Sequence, residues 1–120
     1  SLNSALQNFN KLKAANYKKY LLLGDMLELG KHSKKLHIAM AKSINKILIN
    51  KVYVIGNEIK ETFKRIQKTK RGAILKNDSE LNHFIIKKLK DNDYLMVKGS
   101  NSTGLFNFIS KLKKRNIHVL

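Results

Sequence analysis

The stretch YLLLGD at residues 20–25 is a short run of residues suited to a buried strand, ended by a glycine and an aspartate. The same pattern returns as VYVIGNE at residues 52–58 and as YLMVKGS at residues 94–100. Strands that are apolar throughout, without polar alternation, are typical of parallel sheets covered on both faces. We therefore predict three parallel strands here, a weaker one at residues 73–75, and a last one within residues 116–120.

The segments between these strands have the period of amphipathic helices. Leu36, Met40 and Ile44 lie on one helical face. Similar apolar stripes occur near residues 2–9, 59–66, 81–89 and 105–112. Asn57 is placed to cap the helix that follows the second strand, and Asp78 or Ser79 to cap the next one.

Strands that alternate with helices predict an α/β fold that is Rossmann-like, with a mainly parallel sheet and helices on both faces. The chain has 120 residues and no proline, and no linker composition divides it. We expect one domain over residues 1–120. Because the N-terminus SLNSAL lacks an initiating methionine, we also expect this domain to be a fragment of a longer chain.

The charge of the chain suggests a second class of protein. Its 25 lysines and arginines against 8 acidic residues give a net charge of +17, as in proteins that bind nucleic acid. Only Arg65, Arg71 and Arg115 are arginines, however, and the planar guanidinium is favoured for phosphate and base recognition. A small basic nucleic-acid-binding module is therefore the alternative interpretation, and a nucleic-acid partner is not the one we expect.

Several further classes of protein or site are disfavoured by what the sequence lacks. The absence of cysteine excludes disulfides and thiolate metal sites and suits the cytoplasm. No apolar run approaches the roughly 20 residues of a membrane span, so no membrane partner is expected. The four histidines show no spacing that would build a metal site.

Three loops are expected to carry function, because ligands of open α/β sheets bind at the carboxyl ends of the strands. They are GDMLELGKHS at 24–33, GNE at 56–58 and KGSNSTG at 98–104. The last has two glycines at the spacing of a nucleotide-binding P-loop. Its lysine precedes the first glycine, however, and Leu105 and Phe106 follow the second, so the phosphate-reaching cation and the magnesium-binding hydroxyl are both missing.

The first loop offers carboxylates near this edge. Gly24 lets the chain leave the strand sharply, and Asp25 and Glu28 could orient a cationic group or a metal-bound water. The alternative is that Asp25 accepts hydrogen bonds from backbone N–H groups in a turn while Glu28 is solvated. His37 has no carboxylate partner in sequence, which favours a packed histidine over a general base.

The third loop offers a cation. Lys98 at the mouth of the sheet could anchor a carboxylate, and Gly99 permits close backbone approach. The hydroxyl and amide side chains that follow could bind a ligand, cap the last helix, or do both. No catalytic triad, zinc pattern or dinucleotide fingerprint is present, so we identify no catalytic residue.

Taken together, LLLGDMLELG at 21–30, the Leu36–His37 pair, DNDYLMVKGS at 91–100 and the opening SLNSAL resemble the C-terminal domain of the Mur ligases of peptidoglycan synthesis. Within this family, the motif GDMLELG resembles that of the member that joins D-alanyl-D-alanine to UDP-N-acetylmuramoyl-tripeptide. The pairing of GDMLELG with KGS disfavours a sister amide ligase, such as one that adds glutamate to folate.

The resemblance implies a domain that positions the incoming amine and excludes water while other domains hold the remaining substrates. An N-terminal domain would bind the UDP-sugar, and a central domain would bind ATP and Mg²⁺. The tripeptide carboxylate would be phosphorylated, and the amine would attack the acyl phosphate to form an amide. The fragment alone is expected to be inactive and to bind neither ATP nor metal.

The resemblance also implies which residues contact the dipeptide. Four belong to the loop after the last long strand: Lys98, Gly99, Ser100 and Asn101. Three lie on the neighbouring loops: Asp25, Met26 and Asn57. Three more would support the site: Gly24, Glu28 and His37. Asn101 departs from the arginine that often follows KGS in this family.

Overall fold

The structure, a computed structural model, describes residues 2–27, 33–100 and 105–120. Its sheet has five strands in the order β3-β2-β1-β4-β5, and every pairing is parallel. The strands are β1 Lys19–Gly24, β2 Lys51–Ile55, β3 Arg71–Leu75, β4 Tyr94–Lys98 and β5 His118–Val119. The predicted α/β class and parallel sheet are confirmed.

The helices alternate with the strands along the chain. They are α1 Leu2–Lys11, α2 Lys34–Lys46, α3 Lys60–Phe63, α4 Asp78–His83 and α5 Leu105–Leu112. The apolar stripe at 59–66 forms only the four-residue α3, and α4 continues as a π-helix at Phe84–Lys88. In the part of the chain that the structure describes, no helix is long and apolar enough to cross a membrane.

Both faces of the sheet are covered within the chain. Leu21 and Leu23 of β1 point into one buried cluster, which includes Phe9 of α1 and Ile44 of α2. Tyr20 and Leu22, which alternate with them, belong to a second cluster with the π-helix and α5. Because successive side chains of a strand point to opposite faces, one apolar run supplies both cores, and the predicted helices on both faces are confirmed.

Two predicted helix caps are wrong. Helix α3 begins after Ile59, and no side chain of its own segment caps it, so Asn57 does not play that role. Helix α4 is capped by Asn77, whose side-chain oxygen accepts the N–H of Glu80 at 2.9 Å, rather than by Asp78 or Ser79. At α4 three cap-forming residues are adjacent in sequence, and the tertiary path of the chain selects among them.

Basic side chains close several helix C-termini. The Lys19 ammonium donates to the carbonyl of Leu12 at 2.9 Å, and the Lys70 ammonium donates to the carbonyls of Asn45 and Ile47 at 2.7 Å each. Burial lowers the pKa of both lysines. Cations at these positions complement the negative end of the helix dipole, so part of the large positive charge has a structural role.

Candidate functional site

The carboxyl ends of β1, β2 and β4 lie side by side at one edge of the sheet. In the parallel register Gly24 is paired with Ile55, and Leu23 is paired with Lys98. The loops that follow these three strands therefore leave the sheet together. This is the edge at which open α/β sheets bind ligands.

Asp25 joins all three loops. Its carboxylate accepts the backbone N–H of Ile59 at 2.8 Å and that of Asn57 at 3.2 Å, both on the loop after β2. Its backbone carbonyl accepts the N–H of Ser100 at 2.7 Å, on the loop after β4. Both N–H groups lie just before helix α3, where Asn57 was predicted to act as the cap. The interpretation in which Asp25 satisfies backbone donors is the one that the structure supports.

Two glycines make this close approach possible. Gly56 has φ of +129°, and a Cβ there would lie 2.6 Å from an oxygen of the Asp25 carboxylate. Gly99 has φ of +155°, and a Cβ there would lie 2.9 Å from the Cα and N of Gly24. The neighbouring atoms at Gly99 are backbone, which cannot rotate away. The backbone at this edge is therefore packed too closely for side chains at these two positions.

Lys98 lines a cleft on one face of the sheet. It is the last residue of β4, is partly exposed, and shares its strand face with Met96. The cleft has a volume of about 310 Å³, and its lining includes Ala5 and Phe9 of α1 and Leu12, which directly follows that helix. Its opening thus combines one cation with a largely aliphatic and aromatic wall, which suits a small ligand with apolar groups and a carboxylate.

The other predicted site residues divide into exposed and buried ones. Asn57 is exposed at the edge, and Ser100 lies beside Asp25. Met26 is only 8% exposed and belongs to the first core cluster, so its side chain is available to a ligand only to a small extent. Glu28 and Asn101, which were also predicted here, lie outside the described residues.

His37 is fully buried on α2. Its Nδ1 lies 2.8 Å from the hydroxyl of Thr62, which is fully buried on α3. The pair connects two helices of the same sheet face, and a polar pair of this kind fixes how they pack. This agrees with the prediction of a packed histidine.

The acidic and histidine side chains of the described residues are not grouped as a metal site requires. No group of three or more histidine, aspartate or glutamate side chains among them could hold a metal ion. Asp25 and Glu58 are the acidic residues on the described parts of the three loops, and the carboxylate of Asp25 is used by backbone N–H groups.

The three arginines are used within the fold. Arg71 donates from Nε to the carbonyl of Ile66 at 2.8 Å, and Arg115 donates from Nη2 to the carbonyl of Leu89 at 2.8 Å. Arg65 donates to both the backbone carbonyl and the carboxylate of Glu61. The side chains best suited to phosphate recognition are thus scattered and partly engaged, which disfavours the nucleic-acid alternative.

Sequence reasoning missed several residues that build the edge. Gly56 was predicted only to end a strand and begin a functional loop, yet the close packing of the Asp25 carboxylate depends on it. Thr62, the partner of His37, carries no signal in sequence because the two are 25 positions apart. The cleft residues of α1 appeared only as a helix stripe. The glycine after the second strand was the one signal that could have been used.

These features define the class of protein domain. It is a Rossmann-like α/β domain in which three loops meet at the carboxyl ends of the parallel strands. The model of the family described as Mur ligase, glutamate ligase domain, matches residues 1–101 of the chain. The chain therefore belongs to this family of Mur ligase C-terminal domains. The resemblance found in the sequence motifs is confirmed.

Two curated relatives carry the same name. The chain is 34% identical over 99 residues to UDP-N-acetylmuramoyl-tripeptide–D-alanyl-D-alanine ligase of Buchnera aphidicola subsp. Acyrthosiphon pisum (strain APS), a match of 82% of this chain and 21% of that protein. It is 29% identical over 105 residues to the ligase of that name from Rickettsia prowazekii (strain Madrid E), a match of 88% of this chain and 23% of that protein. The chain thus spans about a fifth of the length of these relatives. No solved structure matches it significantly.

Proposed function

We propose that residues 1–120 form one domain, the C-terminal substrate-positioning domain of an ATP-dependent amide ligase in peptidoglycan synthesis. The reaction would join D-alanyl-D-alanine to the tripeptide carboxylate of UDP-N-acetylmuramoyl-tripeptide in the cytoplasm. Support comes from the family membership and from the names of the two relatives. The activation of the carboxylate with ATP and Mg²⁺ belongs to residues outside these 120.

The observation that supports the proposal most is the position of Lys98 at the sheet edge where Asp25 connects the three loops through hydrogen bonds. A dipeptide of two alanines has a carboxylate at one end, a nucleophilic amine at the other, and two methyl groups. The Lys98 ammonium is suited to pair with the carboxylate, and the apolar wall of the neighbouring cleft is suited to the methyl groups. The amine would then face outward, toward the activated tripeptide.

The contribution of this domain is positioning and water exclusion. Holding the amine close to the acyl phosphate replaces an encounter between free molecules, which can supply several kcal/mol of barrier lowering. Exclusion of water also protects the acyl phosphate from hydrolysis. Neither effect needs an acid or base in this chain. The predicted dipeptide contacts of Gly99, Ser100, Asn101, Asp25, Met26 and Asn57 are part of this proposal.

The test uses the full-length protein that contains these residues. Wild-type protein should release phosphate from ATP only when both UDP-N-acetylmuramoyl-tripeptide and D-alanyl-D-alanine are present. Lys98→Ala should raise the KM for D-alanyl-D-alanine by about tenfold, as expected for a partly buried charged contact, and leave the KM for ATP unchanged. Lys42→Ala, an exposed lysine on α2, is the matched control.

The possible failures have different meanings. If the wild-type protein shows no phosphate release that depends on both substrates, the proposed reaction is wrong. If the wild-type protein is active and Lys98→Ala behaves like Lys42→Ala, the reaction stands and the assignment of Lys98 is wrong. Sequence-specific, tight nucleic-acid binding at physiological salt would instead favour the alternative class.

A further inference from the structure

A second cavity lies on the other face of the sheet, away from the candidate edge. It is a groove of about 370 Å³ between the edge strand β3 and the helical segment formed by α4 and the π-helix. Lys51 and Arg71, the first residues of β2 and β3, line one end of it. That end lies at the amino ends of the strands, opposite to the edge that carries Asp25 and Lys98.

The floor of the groove is aromatic because of a glycine and a strand irregularity. Val52 is paired with Arg71 and Tyr53 with Ala73, so Gly72 is an extra residue in β3. A Cβ at Gly72 would lie 2.5 Å from the Tyr53 ring, which shows that the ring lies directly over the glycine. Bulges of this kind commonly redirect side chains beside binding sites.

The π-helix supplies the opposite wall. Phe84 begins it and Lys88 ends it, and both line the groove. The Phe84 ring lies 4.2 Å from the Tyr53 ring, centroid to centroid, at an interplanar angle of 40°. A π-helix is rare and occurs frequently at functional sites. Here it places the Lys88 cation on the cavity, while the Phe84 ring, only 1% exposed, packs against the Tyr53 ring.

The charges of the groove are unevenly distributed. Lys51, Arg71 and Lys88 lie toward the amino ends of the strands. Arg71 is oriented by the bond from its Nε to the Ile66 carbonyl. Its terminal nitrogens form no hydrogen bond with the described residues and are free to form a fork toward a ligand. Glu80, near the start of α4 at the other end, accepts the backbone N–H of Lys76 at 3.0 Å.

We propose that this groove is a binding site for a small anion attached to a planar apolar ring, of the aryl phosphate class. The ring would lie over Gly72 and Ala73 beside the small exposed part of Tyr53, and the anion would meet Lys51, Arg71 and Lys88. Stacking on aromatic rings and charge-assisted hydrogen bonds to a guanidinium are the interactions that such ligands use. The site is separate from the sheet edge that carries Asp25 and Lys98, and it does not depend on the ligase activity.

The test is an NMR titration of the 120-residue chain with phenyl phosphate, with phenol and inorganic phosphate as separate probes. The chain is suitable because both core clusters lie within it. Phenyl phosphate should bind with a Kd of about 1 mM, typical of a ligand of its size, and shift the amide signals of Gly72, Ala73 and Phe84. Phenol and inorganic phosphate should each bind at least about tenfold more weakly, since each keeps only half of the contacts.

A charge-matched pair of variants separates the groove from the general attraction of a chain with a net charge of +17. Lys88→Gln should weaken phenyl phosphate binding about two- to fivefold, as expected for one exposed ion pair. Lys42→Gln, which removes the same charge on the opposite face of the sheet, should leave binding unchanged. Equal effects of the two variants would overturn the proposal. So would inorganic phosphate binding as tightly as phenyl phosphate, or the absence of shifts at the groove.

Discussion

Replacing Asp25 by alanine should destabilise the chain and loosen the loop after β2 from the loop after β1, while the bond from Ser100 to the Asp25 backbone carbonyl is kept. The change leaves the N–H groups of Ile59 and Asn57 without their carboxylate acceptor. A net value of about 1.5 to 3 kcal/mol applies to a hydrogen bond with a charged group. The bond to Ile59 is short and partly buried, whereas that to Asn57 is longer and exposed, so we expect a total loss of about 2 kcal/mol.

Urea unfolding of the 120-residue chain measures this loss. With a slope of about 1 to 3 kcal/mol per molar urea, the midpoint should fall by about 1 M. Asp25→Asn should cost about half as much, because the amide oxygen can still accept one bond while the charge is lost. Asp91→Ala, an exposed aspartate in the turn before β4, makes the same change in net charge and should have little effect.

The reasoning would be refuted by a loss below about 0.5 kcal/mol for Asp25→Ala, the level of an ordinary surface substitution. It would also be refuted if Asp91→Ala destabilised the chain equally, because the effect would then come from net charge alone. A hydrogen-exchange measurement adds a local readout. The amide of Ile59 should exchange faster in Asp25→Ala, while amides in the core strand β1 should follow only the global loss of stability.

Two further predictions concern Gly99, which follows β4, and Tyr20 of β1. Gly99→Ala should destabilise the chain by at least about 2 kcal/mol in thermal or urea unfolding, because φ is +155° and the new Cβ would lie 2.9 Å from the backbone of Gly24; near-wild-type stability would contradict the packing described. The pKa of Tyr20 is raised to about 12, chiefly by burial and to a smaller extent by the nearby Asp93 and Tyr53. The folded state therefore favours the protonated hydroxyl of Tyr20. The contribution of this group to the free energy of unfolding is complete below pH 10, and up to about 2 to 3 kcal/mol of it is lost as the pH rises from about 10 to 12. Tyr20→Phe should lose less stability over this interval, and equal losses in both proteins would rule Tyr20 out as the source.

The sequence was a good guide to the fold for a physical reason. Leu21, Leu22 and Leu23 are apolar without alternation, and a strand with that pattern must be covered on both faces. Parallel pairing, helical crossovers and a ligand edge at the strand ends follow from this. The helix boundaries were less predictable. Asn57 satisfies every local rule for a cap, but the acceptor used is the Asp25 carboxylate, 34 positions earlier.

The candidate site was predicted only in part. GDMLELG and KGS located loops that leave the sheet at the same edge, because glycine and short polar residues after a buried strand indicate a strand end in any context. The motifs did not show that Met26 is largely buried or that Lys98 lines a cleft formed with α1. Both properties depend on which strand face a residue occupies and which helix covers that face.

The sequence by itself thus determined the α/β class, the two covered faces of the sheet and the loops that carry the site, because hydrophobic period and glycine position are local properties. The tertiary structure alone decided the bonds of Asp25, the burial of the pair formed by His37 and Thr62, and the aromatic groove over Gly72. These features join residues far apart in the chain. Their geometry is set by strand register and helix packing, which no local pattern specifies.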